Sequence, residues 1–120
     1  VANNGLASLT NTLVASHSVG GLSGSETVAN YTLFFNTGIW CGGSANCINS
    51  ISGDPRFVDP TDYDYHIQKG SAAIDAGILT DIKTDLDKEP RLNLPDLGAD
   101  EYWAPGTLKK IYLPLALDTI

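Results

Sequence analysis

Apolar positions in this chain fall in short alternating runs broken by glycine-rich turns, and none is long enough for a bundle of helices. Over Leu6–Ser16, Leu9, Leu13 and Ala15 alternate with Thr10, Thr12 and Val14, which predicts a strand with its first set facing inward. Gly20, Gly21 and Gly24 mark a turn, and Thr27–Asn36 predicts a second strand. Thr12-Leu13 and Thr32-Leu33 lie twenty residues apart. One strand and one glycine turn per twenty residues predicts an all-β solenoid. A single rung cannot bury its own inward face, so the rungs must stack through parallel pairing. Two rungs are fewer than the roughly three that a stable stack needs. Further coils ahead of Val1, or a stacked copy of the chain, are therefore expected to cover the open face. Asn11, Asn30 and Asn36 are expected near strand ends, bonding backbone at the bends.

The pattern changes after Phe35. Residues 38–53 form a Gly/Ser/Asn-rich loop that carries Trp40, Cys41 and Cys47, and beyond it the apolar pieces shrink to Arg56–Val58, Tyr65–Ile67 and Leu97–Tyr102. Between them lie turn formers. Asp54-Pro55 and Asp59-Pro60 start turns, because the residue before proline avoids the α region and an Asp side chain bonds nearby backbone. Ser71 is placed to cap a helical turn over Ala72–Asp75, with Gly77 as its left-handed stop. The chain thus divides into coils with a cysteine loop (1–53), an irregular C-terminal cap (54–104) and a terminal apolar edge segment (105–120). Pro114 limits that last segment to an edge strand, laid where it would protect the stack.

The back half carries five ordered motifs: Gly-Asp-Pro-Arg-Phe-Val-Asp-Pro (53–60), Asp-Tyr-His-Ile (64–67), Gly-Ser-Ala-Ala-Ile-Asp-Ala-Gly (70–77), Asp-Leu-Asp-Lys-Glu-Pro-Arg (85–91) and Asp-Leu-Gly-Ala-Asp-Glu-Tyr (96–102). In these the chain resembles the C-terminal region of bacterial extracellular right-handed parallel β-helix repeat proteins. The tail Lys-Lys-Ile-Tyr-Leu-Pro-Leu (109–115) resembles the end of such surface or secreted proteins from Chloroflexus-like bacteria. The resemblance implies a right-handed parallel β-helix fragment with a C-terminal cap, and an extracellular or cell-surface location. It supplies no catalytic set.

Composition narrows the partners. At 120 residues, 42% hydrophobic and 18% charged, the chain can bury a core and is not compositionally disordered. It contains no methionine and opens on no basic-then-apolar leader, so it is expected to be a processed or excerpted chain. No apolar stretch reaches the roughly 20 residues of a membrane helix. A net charge of −7 disfavours nucleic acid and anionic lipid. Charge is also uneven: Glu26 is the only acid before Asp54, and Arg56 is the first basic residue. Cys41 and Cys47 read as a local disulfide in an exported context, with two free thiols or half a metal site as alternatives; no His or Cys completes zinc spacing.

Candidate chemistry is sparse. Polysaccharide cleavage on parallel β-helices uses Lys or Arg as base, or paired carboxylates; the coils here hold neither, and His17 has no acidic neighbour. The pairs Asp62/Asp64, Asp85/Asp87 and Asp100/Glu101 read as turn-forming acids, since acid–base work needs a fixed separation in a cleft. Asp85, Asp87 and Glu89 form a loose calcium candidate; an EF-hand is excluded because Pro90 stands where its glycine must be. Arg91 is expected to tie Asp75 or Asp100 across the cap. Trp40, Trp103 and Tyr63 are candidates for stacking on a glycan. The expected function is a non-catalytic terminal segment of an extracellular surface protein, adhesive or glycan-contacting. The alternatives are a self-assembling subunit of a surface filament or layer, and part of a polysaccharide lyase or hydrolase whose site lies outside this chain.

Overall fold

The computed structural model describes residues 6–107 with the exception of residue 93. Among the described residues eight strands run in order: β1 (Ala7–Ala15), β2 (Gly20–Ser23), β3 (Thr27–Phe35), β4 (Ile39–Gly42), β5 (Asn46–Ile48), β6 (Ile51–Ser52), β7 (Phe57–Asp59) and β8 (Asp64–Ile67), with one 3-10 turn at Pro60–Asp62. β1 and β3 pair in parallel at an offset of twenty residues, Thr12 opposite Thr32 and Leu13 opposite Leu33. The short β5 and β6 follow on the far side of β3. β2 and β4 form a separate parallel pair, and β7 and β8 an antiparallel one.

The predicted solenoid is not found. Among the described residues the strands are divided among three small sheets, and the right-handed parallel β-helix with its cap gives way to a small, mostly stranded structure. The reason lies in the chain after Phe35. β5 and β6 are only three and two residues long, interrupted by Asn49 at a positive φ of 51°. Ser50 fills the gap: its hydroxyl accepts from the Thr32 amide at 3.2 Å, and its one hydrogen faces the carbonyls of Ile48 at 3.1 Å and Ala29 at 3.4 Å. Beyond Ser52 the pieces expected to continue the column do something else. Phe57–Asp59 pairs with Asp64–Ile67, and 97–102 forms no strand.

The inward face is also not the one that alternation alone predicts. Asn11 and Tyr31, opposite one another in the stack, both take a left-handed backbone (φ 52° and 53°). Each reverses the period of two, so residues five apart share a side. Leu9 therefore joins Val14, and Ala29 joins Phe34, in one cluster with Leu22, while Leu13 and Leu33 point the other way. Asn tolerates this conformation readily. Leu13 and Leu33 thereby become the floor on which Ile67, Ala73 and Leu97 pack, which seats residues 54–104 against the flank of the parallel sheet.

Cys41 and Cys47 are joined in a disulfide with their Cα atoms 6.3 Å apart, closing the loop between β4 and β5. So short a closure stabilises modestly in the chain-entropy model. Reduction, or Cys41→Ser with Cys47→Ser, is expected to lower the unfolding free energy by about 2 kcal/mol, measured by urea denaturation. The expected terminal strand falls almost entirely on 108–120, outside the described residues.

Candidate functional site

The region from Asp54 to Tyr102 has little regular structure, so its backbone needs other partners. Buried N–H groups must be paired, and carboxylates supply the pairing. Asp85 accepts from the amides of Asp87 and Glu89 through Oδ1, at 2.9 Å each, and from Glu101 through Oδ2, also at 2.9 Å. Asp96 accepts from Asp75 at 2.8 Å and from Tyr102 at 2.6 Å. Asp100 accepts from Ile67 at 2.9 Å. Glu101 takes the amides of Asp96 and Leu92, at 2.9 and 3.1 Å. All four acids are buried.

Arg91 completes this clasp, with a different partner from the expected ones. Its Nη1 lies 3.1 Å from Glu101 Oε1 and donates to the Asp96 carbonyl; Nη2 donates to the Gly98 carbonyl at 2.8 Å. Neither Asp75 nor Asp100 pairs with it: Asp75 is exposed, and Asp100 holds the amide of Ile67. The Glu101 side chain is 0% exposed and that of Arg91 11%, so this is a buried pair. Burial pushes the Asp96 carboxyl up to about 6, against the opposing pull of the two amides that it accepts. Burial likewise raises Asp100, whose neighbour Asp85 adds repulsion.

Two close approaches dock the clasp on β1. The Asn11 side chain accepts from the Ile78 amide at 2.8 Å and donates to its carbonyl at 2.7 Å, while the Asn11 carbonyl accepts from Gly98. Gly77 is needed there for space rather than for a left-handed stop, since a Cβ would lie 2.6 Å from the Pro95 carbonyl and 2.8 Å from Asn11 Oδ1. The left-handed residue ending the Ser71 turn is Asp75 (φ 55°). Ser71 itself behaves as expected, its hydroxyl accepting from Ala73 at 3.1 Å. Asn30 bonds Asn49, side chain to side chain.

The calcium candidates come together. One ligand atom each from Asp85, Asp87, Glu89 and Asp100 lies within 4.8 Å of the others, and His66, Asp87 and Asp100 form an overlapping group. Sequence reading passed over His66. Its signal was Asp64, two residues earlier and hence on the same side of β8; His66 Nδ1 lies 2.6 Å from Asp64 Oδ1, and Nε2 lies 2.6 Å from Asp87 Oδ2.

The aromatic candidates are scattered rather than gathered. Trp40 on β4 leans on Phe34 with ring centroids 5.2 Å apart, Tyr63 is 83% exposed after the 3-10 turn, and Trp103 is half-buried just after Tyr102. A groove of about 760 Å3 opens beside β1, walled by Leu13, Phe35, Phe57, Tyr65, Ile67 and Leu97. Its titratable lining is His17, Tyr65 and Asp100. No family model, curated protein or solved structure matches this chain.

Proposed function

We propose that this chain is an exported, non-catalytic structural module, in which residues 54–104 act as an acidic clasp that covers the Leu13–Leu33 flank of a parallel sheet. One observation carries the reading: the buried carboxylates of Asp85, Asp96, Asp100 and Glu101 are spent on backbone amides. Acid–base catalysis needs a carboxyl group free to exchange a proton with a substrate in a cleft, and the groove beside β1 is mainly apolar. The Cys41–Cys47 disulfide favours an oxidising compartment. The test is incubation with soluble acidic and neutral polysaccharides, followed by product analysis. No chain shortening is expected; release of oligosaccharides that stops on substituting Asp100 or His66 would overturn the reading.

A second reading, self-assembly, is favoured by the sheet order. Among the described residues, β1 lies at one end of the four-stranded parallel sheet and the β5–β6 pieces at the other. Two edges of one polarity allow copies to add head to tail, a contact that does not close on itself. Light scattering across a dilution series separates the readings: mass that grows with concentration supports assembly, and a constant monomer mass removes it.

A further inference from the structure

The groove beside β1 is walled by two kinds of side chain. Leu13, Ile67 and Leu97 give it an aliphatic side, and Phe35, Phe57 and Tyr65 an aromatic one. Phe57 and Tyr65 meet edge to face with ring centroids 5.1 Å apart, and Tyr65 is 52% exposed. The groove's volume, about 760 Å3, falls within the ~300–1,000 Å3 of small-molecule sites. Its formal charge is negative: among the described residues no Lys or Arg lines it, and Asp100 is its single carboxylate. Carboxylate oxygens of Asp85, Asp87 and Glu89 lie within 4.8 Å of that of Asp100. Exposed Asp59 and Asp62 flank Pro60 and Thr61, which line the same groove. His66 reaches this group of acids but is already engaged by Asp64 and Asp87.

We propose that this groove binds an apolar organic cation, a hydrocarbon chain or ring that ends in an ammonium group. The hydrocarbon covers the aliphatic wall, and the ammonium lies against the aromatic rings on the side of Asp100. An aromatic face attracts a cation within about 6 Å, most strongly when both are desolvated. Apolar walls focus the field of the neighbouring acids into the cleft. A carboxylate accepts about four hydrogen bonds, of which the Ile67 amide takes one on Asp100. An apolar anion is repelled from such a groove, and a neutral hydrocarbon gains nothing from its charge. The inference goes beyond the structural reading, since it gives the seam between β1 and the clasp a ligand, and it depends on neither export nor assembly.

The test is calorimetric titration of the full chain, with a chelator present to keep inorganic cations off the acids. The probes are decyltrimethylammonium, decanol and decanoate, each below the concentration at which it aggregates. One-to-one binding of the ammonium is expected, ~10-fold or more tighter than decanol, with decanoate weakest. Asp100→Asn keeps an oxygen for the Ile67 amide, and should cancel most of that preference while leaving decanol unchanged. Should that variant misfold, Tyr65→Leu tests the same preference from the exposed aromatic wall, with a severalfold loss expected. Amide NMR shifts on binding should gather at Leu13, Phe57, Tyr65 and Leu97. Equal affinity for the three probes, no saturable binding, or shifts gathered elsewhere overturns the proposal. So does a doubled mass that the ammonium fails to alter, since a second copy then fills the groove.

Discussion

Replacing Arg91 by alanine is expected to lower the unfolding free energy by about 3 kcal/mol. Removing one partner of a buried ion pair strands the other charge, which costs roughly 3–5 kcal/mol. Glu101 is that stranded charge, with none of its side chain exposed. The lower end of the range applies because the amides of Leu92 and Asp96 still serve its oxygens. The same substitution removes the donors to the Asp96 and Gly98 carbonyls, which hold the turn leading into Leu97. Urea denaturation measures the effect. An unchanged midpoint would mean that Arg91 contributes nothing to the clasp.

Phe34→Ala is expected to cost more, about 4 kcal/mol, as large-to-small changes of buried aromatic rings do. Phe34 is 1% exposed, packs with Val14, Leu22 and Ala29, and supports Trp40. Collapse into the cavity is hindered on two sides: β2 is tied to β4, and the Gly21 position approaches the Phe34 ring so closely that a Cβ there would lie 2.8 Å from it. The neighbouring Leu33 faces the clasp instead, so loss at position 34 should leave the clasp amides protected while loosening the β2–β4 pair. Both substitutions are large against the 5–15 kcal/mol typical of a folded domain. Equal loosening of both regions would argue that the two clusters do not melt separately.

Part of this was legible in the sequence. The spacing of Thr12-Leu13 and Thr32-Leu33 reappears as the register of β1 on β3, and the close cysteines are bonded. The side each residue faces was not legible, because a left-handed residue leaves no trace in a hydrophobic pattern. Tyr31 especially is a poor candidate for that backbone, yet its turn sends Leu33 to the clasp and Phe34 to the other cluster. Extrapolating two rungs into a column failed for a related reason. Periodicity reports the strands that exist, and says nothing of a continuation too short and too broken by Asp, Pro and Gly to extend the parallel stack. The partner of Arg91 was hidden by abundance. With 14 acids in the chain, only the path of the backbone decides that Glu101 meets it while Asp100 turns to Ile67. His66 could have been found from Asp64 on the same strand face; Asp87, twenty-one residues on, could not.

The central claim is that carboxylates, rather than strand pairing, hold the back half together. Amide hydrogen exchange tests it most directly, at Ile67, Asp75, Asp96, Glu101 and Tyr102, whose N–H groups each donate to one of these acids. Protection at these five amides should approach that of the buried β3 amides at Leu33 and Phe34. Exchange at the rate of an unstructured peptide would contradict it.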